Sequence, residues 1–170
     1  MTEALERTLV EHIPGPPEAV RRHYVDLDRI AEVHPLVVAV RTVSHRVTDD
    51  GYEQTYVVKD LIPLGFLTLP ISYTAMLRVP ATGAVTSQAR QFPGVRLDLV
   101  VTFEPEHAGT RLTERITISA PRVLLAVTVR QAVAAHTEML AGIRRHFETR
   151  SRGCGPVSYT HLTLPTTPYV

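Results

Sequence analysis

The chain holds a single cysteine, Cys154, and no tryptophan. A lone cysteine excludes an internal disulfide and any CxxC metal or redox pair. No apolar run approaches the roughly 20 residues that span a bilayer. Met1–Glu6 is polar and acidic where a secretory leader would be basic and then apolar. Neither sign of charge dominates: 18 Lys and Arg stand against 17 Asp and Glu, a formal net charge of +1. With no block of like charge and no basic stripe interleaved with aromatics, neither nucleic acid nor an acidic membrane surface is expected as partner. There is no GxSxG, no glycine-rich phosphate loop and no plausible cysteine nucleophile. His12, His23, His34, His45, His107, His136 and His146 show neither HxxxH nor HxH spacing, so no metal and no cofactor are expected. These absences leave a soluble cytoplasmic globular protein as the default.

What is present fits one domain. At 170 residues, 44% of them hydrophobic and 21% charged, the chain can bury a sizeable core. Arg7–Ile13 reads as a first strand, ended by Pro14-Gly15-Pro16-Pro17. Glu18–Tyr24 reads as a short helix with a proline in its first turn. Asp26 or Asp28 is placed to cap a second short helix through Ile30–Val33, which Pro35 stops. Six strand candidates follow: Val37–Val47, Tyr52–Ile62, a run from Leu67 to Val79, Ala84–Phe92, Arg96–Glu104 and Thr110–Ser119. Asp49-Asp50-Gly51, Pro63-Leu64-Gly65, Pro80–Gly83, Pro93-Gly94 and His107-Ala108-Gly109 mark the turns. Pro70, inside one run, predicts an edge or a bulge there. Hairpin-length connections imply an antiparallel sheet with helices on one face, hence α+β.

Pro121–Arg150 is the longest helical pattern. At about 100° per residue, Leu125, Val129, Ala132, Val133, His136, Leu140, Ile143 and Phe147 share a stripe, with Arg130, Glu138, Arg144, Arg145 and Glu148 opposite. Leu140, Ile143 and Phe147 are expected in the core, and Val129, Ala132 and His136 on the wall of a cavity. Val123–Val129 is apolar all round, with Leu124 and Val127 expected to touch a loop or a second subunit. Beyond the helix, residues 151–156 read as a flexible end. The last segment, VSYTHLTLPTTPYV from Val157 to Val170, closely resembles the translation of a transposase adapter used to prepare sequencing libraries. Residues 157–170 are therefore expected to be non-native and carry no functional argument.

The opening strand Thr8–Ile13, the helix start Pro17-Glu18-Ala19-Val20 after Pro16, and the junction His34-Pro35-Leu36-Val37 carry a resemblance. So do Gly109-Thr110-Arg111-Leu112-Thr113 and the long final helix. Across about residues 4–150 the chain resembles the START-like superfamily, also called Bet v 1-like or SRPBCC. Within it, the chain more narrowly resembles bacterial polyketide cyclase/dehydrase and lipid-transport-like proteins. The resemblance implies a helix-grip fold in the order β-α-α-β6-α, a curved sheet of about seven strands around the C-terminal helix with an apolar cavity between. Members bind lipids, sterols, polyketides or plant hormones; some catalyse, many carry, and some bind proteins. The superfamily has no shared catalytic motif, so fold alone does not assign a reaction.

Few polar residues are placed to do chemistry in such a cavity. His136 lies mid-stripe, where it would hydrogen-bond a ligand, act as acid or base, or pack as a satisfied core histidine. Glu114 shares a face with Leu112, Ile116 and Ile118, unless a bulge returns it to solvent. Asp60 and Tyr56 share a face with Val58 and Ile62. Tyr73 lies on the apolar face of its strand. His136, Glu114 and Asp60 are the catalytic candidates. His136, Ala132, Val129, Tyr56, Tyr73, Leu99, Ile116 and His34 are the ligand-binding ones, with His34 at the rim. Three functions compete. A carrier of a small hydrophobic molecule, monomeric or dimeric, needs a continuous cavity. A cyclase or dehydratase needs the polar candidates to converge. A protein-interaction module needs a collapsed interior and an exposed patch at Val123–Val129.

Overall fold

The computed structural model describes residues 2–27, 36–64 and 66–153. The second short helix through Ile30–Val33, the rim residue His34 and the segment 157–170 lie outside them. Seven strands form one antiparallel sheet: β1 (Thr2–Ile13), β2 (Val37–Thr48), β3 (Gly51–Leu64), β4 (Leu67–Pro80), β5 (Val85–Gln91), β6 (Val95–Glu106) and β7 (Gly109–Pro121). Their order across the sheet is β1-β7-β6-β5-β4-β3-β2. Only the β1–β7 neighbours are distant in sequence; every other pair is a hairpin. Helix α1 (Pro17–Val25) follows β1, and α2 (Arg122–Gly153) follows β7 and packs across β1 and β7. This is the helix-grip α+β architecture.

Alternation sets which faces are buried. In β7, Thr110, Leu112, Glu114, Ile116, Ile118 and Ala120 are all essentially inaccessible, while the residues between them are partly or wholly exposed. The ladders of β7 to β1 and β6 run without a register shift, so no bulge turns Glu114 outward. The inward face of β6 carries Val95, Leu99 and Val101 into the same core.

Two boundaries depart from the sequence reading for identifiable reasons. Strand β1 starts at Thr2, five residues before Arg7, because its polar beginning pairs with the end of β7 (Thr2 opposite Pro121). That ladder holds residues that burial alone would not. Helix α2 runs on to Gly153, past Arg150, and Pro121 belongs to β7. Pro70 disturbs nothing, because Leu61 faces it in continuous β3–β4 register, whereas β5 pairs only with Thr74–Arg78. Beyond β5 that stretch of β4 is a local edge, and a proline there forfeits no ladder bond.

Two glycines seat the helix on the sheet. A Cβ on Gly15 would lie 2.5 Å from Cδ1 of Phe147, so the β1–α1 corner and the end of α2 meet only because that atom is missing. Gly109 has φ +149°, and a Cβ there would lie 2.1 Å from the carbonyl oxygen of Ile13. The hydroxyl of Thr110 donates to the Gly15 carbonyl at 2.6 Å and ties the same corner to β7.

Candidate ligand-binding site

Where α2 leaves β1 and β7 and crosses β3–β6, helix and sheet do not meet. The gap is a cavity of about 330 Å³, within the roughly 300–1,000 Å³ of small-molecule sites. Val58, Asp60, Tyr73, Ala75, Leu77, Ser87, Ala89, Leu97 and Leu99 form its sheet wall. Leu124, Val127, Thr128, Gln131, Ala132, Ala135, His136 and Met139 form its helix wall, and Tyr24 and Leu27 close one side. Leu36, Val37, Leu69, Phe92 and Pro93 frame the mouth. The interior is open, so the collapsed core expected of a protein-interaction module is not found. Leu124 and Val127 face the cavity rather than a loop or another subunit, and Val123 beside them points fully outward, 89% exposed.

A polar cluster interrupts this apolar lining. Tyr24 donates its hydroxyl to Glu114 Oε1 at 2.7 Å. His136 donates Nδ1–H to the same oxygen at 2.9 Å. Glu114 is completely buried, and its Oε2 has no hydrogen-bond partner among the described residues. It stands behind the wall and acts through the two residues it holds, fixing the proton on Nδ1 of His136. Burial disfavours a charged imidazole, but Glu114, by charge and by hydrogen bond, outweighs it, and Asp60 adds to the effect. The His136 pKa is therefore raised above its ordinary value. Burial, with the Glu114 charge and hydrogen bond, raises the Tyr24 phenol well above its own.

Asp60 is the second acid. It lies on the sheet wall, 5% exposed, hydrogen-bonded by Tyr73. Burial pushes its pKa up to about 6, against the opposing pull of the Tyr73 hydrogen bond and the His136 charge. Burial first, then Asp60, raises the Tyr73 phenol. A carboxyl whose pKa is raised to about 6 thus shares a cavity with an imidazole whose protonated form is favoured over that of a free histidine, a combination suited to proton transfer.

Of the residues singled out from sequence, His136, Ala132, Tyr73, Leu99 and Asp60 lie on the cavity wall. Val129, Tyr56 and Ile116 do not. At 3.6 residues per turn, Val129 points about 110° away from the stripe Leu124–Thr128–Ala135–Met139 and joins Leu125, Leu140, Ile143 and Phe147 in the core. Ile116 lies on β7, where α2 packs directly on the sheet. Tyr56 is buried further from the mouth than Val58 and Asp60, which supply the β3 part of the wall. Tyr24, Thr128, Gln131, Ala135 and Met139 were not anticipated. The i, i+3, i+4 spacing of Val20, His23 and Tyr24 signals their shared burial on α1, and the four helix positions follow from shifting the stripe by about a quarter turn.

Among the described residues no group of three or more His, Cys, Asp or Glu is arranged to hold a metal ion. No described helix is long and apolar enough to cross a membrane.

The sequence matches no family model and no curated protein. Solved structures do match. The di-domain ARO/CYC StfQ from the steffimycin biosynthetic pathway superposes with a TM-score of 0.68 at 16% identity, over 88% of this chain and 52% of that one. The chain thus spans about half of that di-domain protein. The Zhui aromatase/cyclase from Streptomyces sp. R1128 gives 0.63 at 14% identity, over 92% and 100%. The STAR-related lipid transfer protein from Xanthomonas axonopodis gives 0.54 at 17% identity, over 82% and 85%. These likenesses show that the chain shares the START-like, helix-grip fold of those structures.

Proposed function

We propose that the protein binds a small, largely hydrophobic molecule, lipid- or polyketide-like, with one hydroxyl or carbonyl end. The observation that carries this reading is an open, apolar cavity with one compact polar cluster in its wall. The aliphatic lining supplies affinity through apolar area removed from water. Asp60, Tyr73, Tyr24 and His136 supply orientation. The structural likeness to a lipid transfer protein and to aromatase/cyclases supports an apolar cargo.

A second reading, a cyclase or dehydratase in the same cavity, is favoured by the Asp60–His136 pairing. In a dehydration, the Asp60 carboxylate would take the proton on the carbon beside a carbonyl. The His136 imidazolium would protonate the departing hydroxyl, which leaves as water. Glu114 would then be a positioning residue, holding the imidazole by Nδ1. The aromatase/cyclase likeness supports this reading too.

Native mass spectrometry of freshly purified protein, with organic extraction, tests the first. The protein is expected to carry an extractable small molecule, or to take up a fluorescent apolar probe, and Ala132→Phe to abolish both while leaving the fold intact. An empty protein that ignores the probe would refute binding. Conversion of an extracted ligand by the protein, lost in both Asp60→Asn and His136→Gln, would establish the second reading over simple carriage.

A further inference from the structure

The cavity wall is short of positive charge. Two carboxyls serve it, Asp60 in the wall and Glu114 behind it, and among the described lining residues there is no lysine or arginine. The one lining group able to carry positive charge is His136. With both acids ionised and the imidazole protonated, two negative charges face a single positive one.

The cluster is short of hydrogen-bond donors in the same sense. Three of its donors are already committed: the Tyr24 hydroxyl and His136 Nδ1–H go to Glu114 Oε1, and the Tyr73 hydroxyl goes to Asp60. Asp60, only 5% exposed, keeps Oδ1 without a partner among the described residues, as Glu114 keeps Oε2. Buried carboxylates lacking donors and counter-charge are costly, so a ligand that brings both is favoured over one that brings neither. A ligand hydroxyl supplies one donor and no charge. A carbonyl or carboxylate oxygen only accepts, and deepens the shortage. An alkylammonium supplies as many as three N–H donors and a full positive charge from one small group.

We propose that the cavity takes amphiphilic amines, with an apolar body along the walls and a primary or secondary ammonium on the Asp60 carboxylate. Glu114, behind the wall, acts on that ammonium through charge alone. An ammonium beside His136 favours the neutral imidazole, so the ligand replaces the imidazolium as the cluster's cation. The proposal rests on the ligand-binding reading for the cavity, and adds a nitrogen-headed class to its oxygen-ended ligands.

Isothermal titration calorimetry of the full chain with decylamine, decanol and decanoate, at pH values from about 5 to 8, tests the head group with the body held constant. Decylamine is expected to fill one site and, at pH 8, to bind at least about tenfold tighter than decanol, as a charge-assisted hydrogen bond provides. Its affinity should rise about tenfold from pH 5 to pH 8, because a carboxyl with a pKa of about 6 is only about one-tenth ionised at the lower value. The amine stays protonated over this range, and the raised phenols of Tyr24 and Tyr73 stay neutral. His136 contributes a slope of the same sign, since the proton that opposes the ammonium is lost as pH rises. Decanoate should show the reverse slope. Asp60→Asn should erase the preference for the amine and most of its pH slope, with an unaltered far-ultraviolet spectrum as the check on folding. Decanol binding as tightly as decylamine at pH 8, an amine affinity that is flat or falls with pH, or a preference that survives Asp60→Asn overturns the proposal. Decanol bound without any preference for the amine refutes only the amine and leaves the cavity a ligand site, whereas binding of none of the three refutes both.

Discussion

Replacing Asp60 with asparagine should make the protein more stable at alkaline pH and leave it nearly unchanged in acid. The carboxyl titrates at about 6 in the fold against 3.8 for the free group. Each pH unit of difference is worth 1.36 kcal/mol, so the ionised form is disfavoured by about 3 kcal/mol. The folded pKa lies above the unfolded one, so the folded state binds this proton more tightly. Stability linked to Asp60 is therefore full below pH 3.8, declines as pH rises through about 6, and is flat above. The asparagine amide would keep an oxygen for the Tyr73 hydroxyl and never ionise, so the variant should gain about 2–3 kcal/mol by pH 8. Urea unfolding followed by far-ultraviolet circular dichroism, at several pH values from about 4 to 8, measures the difference between the two proteins. His136 contributes a slope of the same sign to both, because its raised pKa adds stability that disappears as pH rises through its folded value. Taking the difference removes most of that slope. A gap between the proteins that does not change with pH would refute the buried, proton-holding carboxyl, and so would a variant less stable at pH 8.

Glu114→Gln keeps an acceptor for Tyr24 and His136 but removes the charge that offsets imidazole burial, so the His136 titration seen by NMR should move to lower pH; an unmoved midpoint would dissolve the ion pair. Glu114→Ala, which strands both donors, should cost about 3–5 kcal/mol in chemical denaturation. Gly15→Ala should cost about 1–3 kcal/mol by overpacking the Phe147 ring. Most of that loss should vanish in a Phe147→Leu background if the ring is the obstacle, and strict additivity would locate the strain elsewhere.

The architecture was legible because local patterns decide it. Alternation in β7 and the turn residues between strands specify a meander, and the stripe on α2 specifies a helix that must cover it. The burial of Glu114 was legible as one of two outcomes, since its position in the alternation is inward. That it stays inward depends on unbroken pairing with both neighbours, which no local signal carries. The division of α2 between core and cavity was not legible. Val129 and Thr128 are adjacent in sequence, and which of them lines the gap depends on where the sheet curves away beneath. The partner of Tyr24 was invisible for a simpler reason: Glu114 is 90 residues along the chain.

The pairing of the first strand with the last has a kinetic consequence. Strand β1 hydrogen-bonds only to β7, and α2 is made after that. While the protein is being synthesised, strands β2–β6 can zip as successive hairpins, but β1 must wait for a partner about a hundred residues away. Loop closure on that scale is slow compared with forming a hairpin. The helix wall of the cavity is made after every strand of the sheet, so the half-built sheet exposes its apolar inner face until α2 settles on it.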